Sequence, residues 1–225
     1  MCGRFSFYYE WRIVLQAYGL LGEPPAPPPR YNIAPGQMVQ AVVSDGTNRK
    51  IGALRWGLVP NWAKDEATGY KMINVRAETL MEKPAFLRLM ERHRCIIPAD
   101  GFYEWRKDGR NKQPLRITLR SRPVFGFAGL WDVWTRADGT RLGTCTIITC
   151  AANELMSQIH DRMPVILTAE SERLWLDRSI TDAKQLVDVL RPYPGADMQA
   201  YPVSPALGNW RNEGPELIQE SENFS

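Results

Sequence analysis

Ile96-Ile97-Pro98-Ala99-Asp100-Gly101-Phe102-Tyr103-Glu104-Trp105-Arg106-Lys107-Asp108-Gly109-Arg110-Asn111-Lys112-Gln113-Pro114-Leu115-Arg116-Ile117-Thr118-Leu119 is the stretch on which the fold turns. Two strand-like runs, 96–105 and 115–119, flank Asp108-Gly109, a dipeptide that accepts the positive backbone angles of a tight hairpin turn. The run 115–119 alternates apolar and polar residues strictly, the period of a strand with one buried face. Asp45-Gly46 and Asp138-Gly139 repeat the turn signal, and 51–56, 124–130 and 144–149 supply further arms. Successive hairpins make an antiparallel sheet.

Outward from that sheet, helices are expected. Trp11, Val14, Leu15 and Tyr18 share one helical face, so a helix is predicted over 10–20. Gly22 and Pro24-Pro25-Ala26-Pro27-Pro28-Pro29 stop it, and five prolines in six residues predict a stiff, extended surface loop. Tyr31-Asn32-Ile33-Ala34-Pro35-Gly36 reads as a turn into a strand over 38–43. A helix is predicted over 79–93 with Pro84 near its first turn, and two more over 168–176 and 181–190, each opened by a capping Thr. The expected fold class is α+β: a single domain over 1–225 with a curved, barrel-like antiparallel sheet flanked by helices. No internal repeat is present.

A chain of 225 residues fits one domain or at most two, and nothing in its composition splits it. No run is long and apolar enough to span a bilayer and no signal segment opens the chain, so a cytoplasmic protein without membrane contact is expected. Cys2, Cys95, Cys145 and Cys150 form no C-x-x-C pair, and His93 and His160 are the only imidazoles. Neither a metal nor a cofactor is expected, and His93 and Cys95 read as structural. The net charge is +3, yet 83–122 holds 11 Lys and Arg against 4 Asp and Glu, while the tail 213–225 holds four Glu and no base. This distribution suits a polyanion-binding face and suits an ordinary solvated face equally well.

Chemistry enters at Met1-Cys2-Gly3-Arg4. A small second residue allows aminopeptidases to remove Met1, which leaves an α-amine with pKa of roughly 8 beside a thiol of roughly 8.5. Such a 1,2-aminothiol condenses with an aldehyde to an imine and closes a five-membered thiazolidine. It also serves acyl transfer, with the thiol as nucleophile and its own amine as base. An ordinary cysteine that happens to follow Met1 is the third reading, and the remaining residues must decide.

Three polar stretches stand out. In Ile73-Asn74-Val75-Arg76-Ala77-Glu78-Thr79, an extended backbone puts Asn74 and Arg76 on one side. Gly101-Phe102-Tyr103-Glu104-Trp105 sets a carboxylate among aromatics, which raises its pKa and suits it to proton transfer, unless Glu104 is an exposed strand residue paired with Arg106 or Lys107. Ile159-His160-Asp161-Arg162-Met163-Pro164 holds an isolated imidazole in a polar turn.

With Met1-Cys2-Gly3-Arg4-Phe5, the stretch 31–36, Trp56-Gly57-Leu58-Val59-Pro60 with Trp62, and Pro202-Val203-Ser204, these stretches run in order to about residue 204. The ordered set resembles the SOS response-associated peptidase family of abasic-site processing proteins. The resemblance implies a monomer that senses abasic sites in single-stranded DNA and cross-links to them through Cys2 as a thiazolidine. It further implies that Glu104 and His160 act as acid and base and that Asn74 orients the sugar or the chain end. Abasic lyase activity and self-processing at Met1 are side branches of the same chemistry. Arg4, Arg76 and Arg162 are the expected phosphate contacts, and Trp62 and Pro35 the expected stacking or wedging groups; Trp56 reads as core. The Pro-rich loop and the acidic tail lie outside the resemblance. A glutamine amidotransferase, whose chains also start Met-Cys-Gly, calls for His-Thr-Arg and Asn-Gly-x-Ile segments that this sequence lacks. A non-covalent single-strand-binding module with an inert Cys2 is the remaining alternative.

Overall fold

The computed structural model describes residues 2–20, 24–109 and 111–221, so the stop expected at Gly22 lies outside the described residues. The strands are β1 (Phe5–Phe7), β2 (Arg30–Ile33), β3 (Met38–Ser44), β4 (Arg49–Trp56), β5 (Asn74–Arg76), β6 (Arg94–Ala99) and β7 (Gly101–Asp108). They continue with β8 (Asn111–Leu119), β9 (Phe125–Thr135), β10 (Arg141–Ala151), β11 (Arg162–Pro164), β12 (Ile166–Leu167) and β13 (Met198–Pro202). The α-helices are α1 (Trp11–Tyr18), α2 (Ala77–Leu80), α3 (Pro84–Arg92), α4 (Glu154–Ser157) and α5 (Ala169–Leu176).

Strands β3, β4, β10, β9 and β6 pair in that order, and β6 returns to β3 through Val42 and Ile96, which closes a barrel. Closure removes the exposed edges of these strands. The barrel is not antiparallel throughout: β4 and the short β5 both run parallel to β10. A second sheet has the order β13-β8-β7-β1-β2. Phe5 ties the two together, packing edge-on against Trp56 at 5.2 Å and Phe127 at 5.7 Å in one shared core. Trp56 is buried, as its reading as core requires.

The run 96–105 is two strands in two sheets rather than one arm. Between them sits the buried carboxylate of Asp100, which accepts from Ser6 Oγ at 2.6 Å, Tyr8 N at 2.6 Å and Arg116 Nη2 at 3.0 Å. A Cβ on Gly101 would stand 2.7 Å from that guanidinium, so the chain leaves the barrel where only glycine fits. The helix expected over 79–93 is likewise broken. Pro84 has no N–H to give a preceding turn, and it starts α3 from an extended Lys83. The segment expected as a helix over 181–190 is a 3₁₀ turn, Ala183–Val189, capped by Asp182 rather than by Thr181. Thr168 caps α5, accepting from Ser171 N at 3.1 Å.

Charge along the sequence also reads differently in space. Within 83–122, Arg88 pairs with Asp132, Arg116 with Asp100 and Arg122 with Glu172, and Arg94 donates to the carbonyls of Trp175, Glu91, Met90 and Asp177. Much of the basic excess is therefore internal wiring. The described part of the acidic tail is no free arm. Glu213 accepts from Arg30 Nε and from the backbone N–H groups of Tyr31 and Asn32, and Leu217 is buried against Tyr103, Val203 and Leu207. Among the described residues, no helix is long and apolar enough to cross a membrane.

Candidate functional site

Strand β1 draws the start of the chain across the seam between barrel and second sheet. Cys2 is fully buried, and its carbonyl accepts from Asn74 Nδ2 at 2.8 Å. Asn74 reaches it because β5 lies beside β10, with Asn74 opposite Ile147. On the other side, Tyr103 N donates to the carbonyl of Arg4 at 3.0 Å, which brings the next residue of β7, Glu104, close to the thiol. Glu104 is only 3% exposed, so it is not a solvated strand residue.

Burial, and after it the charge of Glu104, pushes the Cys2 thiol far above the ordinary thiol range. The resting sulfur is a neutral S–H. Burial raises the carboxyl of Glu104 as well, while the charge of the chain's amino terminus and then His160 pull it back down. Glu104 and His160 line one cleft of about 480 Å³ with Trp105, Lys107 and Lys112.

His160 Nδ1 lies 3.0 Å from the backbone nitrogen of Arg162 and 2.7 Å from Asp161 Oδ1. These contacts ask opposite things of one nitrogen, since an N–H needs an acceptor and a carboxylate needs a donor. The Arg162 backbone is fixed by pairing with Ala151, whereas the Asp161 side chain is 84% exposed. The backbone contact governs, so Nδ1 accepts and the proton of the neutral ring sits on Nε2.

Asn74, Arg76 and Trp62 line a cleft of about 750 Å³ on the barrel side. Trp62 is 70% exposed and Arg76 is exposed, as a surface contact requires. Asn74 Oδ1 is buried without a hydrogen-bond partner among the described residues. Arg4 and Pro35 line a third cleft, of about 430 Å³, with Gly36, Tyr70 and Trp210. Arg4 is heavily engaged, donating to Asn32 Oδ1 and the Leu207 carbonyl at 2.7 Å and to the Gly208 carbonyl at 3.3 Å. Arg162 forms a two-pronged pair with Glu78, at 2.6 and 2.9 Å, and donates to the Thr149 carbonyl at 2.7 Å. The structure thus gathers Cys2, Asn74, Glu104 and His160, sets Trp62 and Arg76 on one flank and Pro35 on another, and gives Arg4 and Arg162 internal partners.

Sequence reasoning missed Tyr70, Trp210 and Glu78. Tyr70 and Trp210 are exposed aromatics, and a Cβ on Gly36, at φ 86°, would stand 2.9 Å from the Tyr70 ring. Nothing in their local sequence marks them. Glu78 lies inside the quoted 73–79 stretch, and a carboxylate two residues from Arg76 was a readable signal.

The profile of the family described as SOS response associated peptidase (SRAP) matches residues 1–210. A Bacillus subtilis protein named abasic site processing protein YoqW is 50% identical over 222 residues, covering 97% of this chain and 99% of that one. Abasic site processing protein YedK of Escherichia coli is 33% identical over 227 residues, covering 97% and 99%. A crystal structure of a protein from Bacteroides thetaiotaomicron, 28% identical, superposes with a TM-score of 0.86 over 98% of this chain and all of the other.

Proposed function

We propose, for a chain that belongs to the SOS response-associated peptidase family, that it senses abasic sites in single-stranded DNA and joins them covalently through Cys2 once Met1 is gone. The observation that carries this is the placement of Cys2: fully buried, with its carbonyl held by Asn74 and the Glu104 carboxylate near enough that it and burial together push the thiol up. A thiol so strongly protonated is a poor first nucleophile. The α-amine therefore attacks first. It adds to the aldehyde carbon of the opened sugar, and loss of water leaves an imine. The thiol then adds across C=N, forming the C–S bond as its proton passes to nitrogen, and one water has left in all.

Each step asks for a proton at a stated atom. His160 hydrogen-bonds the departing ring oxygen through its Nε2–H as that oxygen gains the proton released from the sugar's C1 hydroxyl, and Glu104 takes one from the amine. Burial suits Glu104 to this, because a carboxyl with a raised pKa holds and releases a proton nearer neutrality. The unpartnered Oδ1 of Asn74 accepts from a sugar hydroxyl. An imine at the sugar also acidifies the adjacent carbon, so β-elimination of the 3′ phosphate competes with ring closure. Removal of Met1 by Cys2, Glu104 and His160 themselves is the corresponding peptidase reading.

Single-stranded DNA suits the surroundings. Trp62 and Pro35, with Tyr70 and Trp210, offer faces for bases, and Arg76 offers charge for a phosphate, while Arg4 and Arg162 would have to give up internal partners to do the same. Incubation of Met1-free protein with an abasic oligonucleotide is expected to give a species that survives denaturing electrophoresis, and an undamaged oligonucleotide is expected to give none. No denaturant-stable species with the abasic strand would leave the non-covalent module as the better account.

A further inference from the structure

Glu78 does nothing in the chemistry above, yet it joins two parts of the site. It follows β5, which carries Asn74 and Arg76, and its carboxylate grips the guanidinium of Arg162 at 2.6 and 2.9 Å. A third acceptor, the Thr149 carbonyl at 2.7 Å, holds the same guanidinium from β10. The backbone N–H of Arg162 in turn sits on His160 Nδ1. Glu78 is 54% exposed and Arg162 13%, so the pair lies at the surface end of a mostly enclosed arginine. The carboxylate presents two oxygens to one guanidinium, the geometry a phosphate would also present.

We propose that Glu78 is a positioning residue that occupies Arg162 in place of a phosphate and, through Arg162, fixes the orientation and tautomer of His160. This rests on the function proposed above. Pairing with Ala151 places the Arg162 N–H, and the Glu78 grip across β10 holds β11 in that register, so the N–H stays on Nδ1 and the ring proton on Nε2. The same grip has a cost for DNA binding, because a phosphate reaching Arg162 must displace a carboxylate. Removing the charge of Glu78 therefore moves two quantities in opposite directions, which loss of a merely structural contact does not do.

The test compares wild-type protein with Glu78→Gln and Glu78→Asp, each first shown by thermal melting to be folded. For Glu78→Gln, intact single strands are expected to bind more tightly, with a log-log salt slope steeper by about 0.7 as Arg162 becomes free for one phosphate. The cross-linking rate at saturating abasic DNA is expected to fall about tenfold. Glu78→Asp restores the charge and is expected to return the salt slope to the wild-type value. Independently of DNA, nitrogen NMR of the neutral His160 ring is expected to show the proton on Nε2 in wild type and a mixture of tautomers in Glu78→Gln. Binding and rate that both stay at wild-type values, or that both fall, would overturn the proposal, as would an unchanged tautomer. Failure of the underlying function is separate and visible: wild type itself would form no cross-link, while the tautomer comparison would still report on Glu78.

Discussion

The closed barrel and the seam beside it treat charge in opposite ways. On the second sheet, Arg116 is 5% exposed and Asp100 1%, and they pair at 3.0 Å with Ser6 and Tyr201 completing the set. At the seam, Glu104 and His160 line an open cleft and Asn74 keeps an oxygen unpartnered. Both regions bury a carboxylate on or beside β7, Asp100 and Glu104, four positions apart. One carboxylate is held by a fixed guanidinium and builds structure. The other faces a thiol and an imidazole and stays able to exchange a proton. A buried acid becomes a reagent when its partners are themselves titratable and a cleft reaches it.

The largest effect expected at the seam is at Cys2. Cys2→Ala retains an amine after Met1 removal, so it still forms an imine, and strand cleavage by elimination persists while the denaturant-stable adduct disappears. A protein that keeps Met1 or carries an N-terminal tag has the thiol but no free aminothiol, and its adduct is expected to vanish as well. Gel assays of the two proteins side by side separate the halves of the aminothiol. Tagged protein that traps abasic DNA at the wild-type rate would show that another nucleophile acts.

Next come the proton-transfer groups, where about 10²- to 10⁴-fold in rate is at stake and little in binding. Glu104→Gln and His160→Ala are expected to slow adduct formation by that order while affinity for undamaged single strands holds. Glu104 also leaves a signature in stability. Its folded pKa lies above the unfolded value because burial disfavours the charged form. Its contribution is therefore fully present below the ordinary carboxylate pKa and is lost as pH rises through the folded pKa. Glu104→Gln is expected to melt higher than wild type at neutral pH and to lose that advantage in acid, where wild-type Glu104 is protonated too. A melting difference that grows toward low pH would contradict the burial argument.

The hairpins were legible wherever period and turn chemistry agree: the arms around Asp108-Gly109 pair in the second sheet and those around Asp138-Gly139 in the barrel, but 115–119, whose alternation predicts one buried face, is buried on both. What was not legible is where one run changes sheets. Residues 94–99 are buried on both faces, so they show no alternation that would end at Asp100, and the reason for the break is Arg116, sixteen residues on. The helix break at Pro84 is written in the sequence, since proline is favoured at a first helical position and disfavoured inside a helix. At the site, residue types carried the reading and spatial partners did not. Glu104 was marked by its aromatic neighbours, Asn74 by its alternation with Arg76 and His160 as an isolated imidazole in a polar turn, but the Asn74 bond to Cys2 spans seventy-two residues. Tyr70 and Trp210 come together only through Gly36 and the chain's far end.

Two arginines sharpen the comparison most, because they are expected to fail differently. Arg116→Ala strands the buried Asp100, and breaking such a pair from one side costs about 3–5 kcal/mol. Its salt dependence of single-strand binding, measured where the protein remains folded, is expected to match wild type. Arg76 is exposed beside Trp62 in the cleft that Asn74 lines, and among the described residues its side chain, unlike that of Arg116, is held by no salt bridge or hydrogen bond. Arg76→Ala is expected to leave melting unchanged and to flatten the log-log salt slope by about 0.7, the loss of one phosphate contact. Trp62→Ala is the uncharged counterpart: at 70% exposure it contributes little to the core, and its removal is expected to weaken binding by about 1–3 kcal/mol with no change in slope. Melting curves and salt titrations of the three variants complete the contrast. An Arg76→Ala protein that melts early with an unaltered slope would put Arg76 with Arg116 among the structural arginines, and the DNA track would then have to run along Pro35, Tyr70 and Trp210 instead.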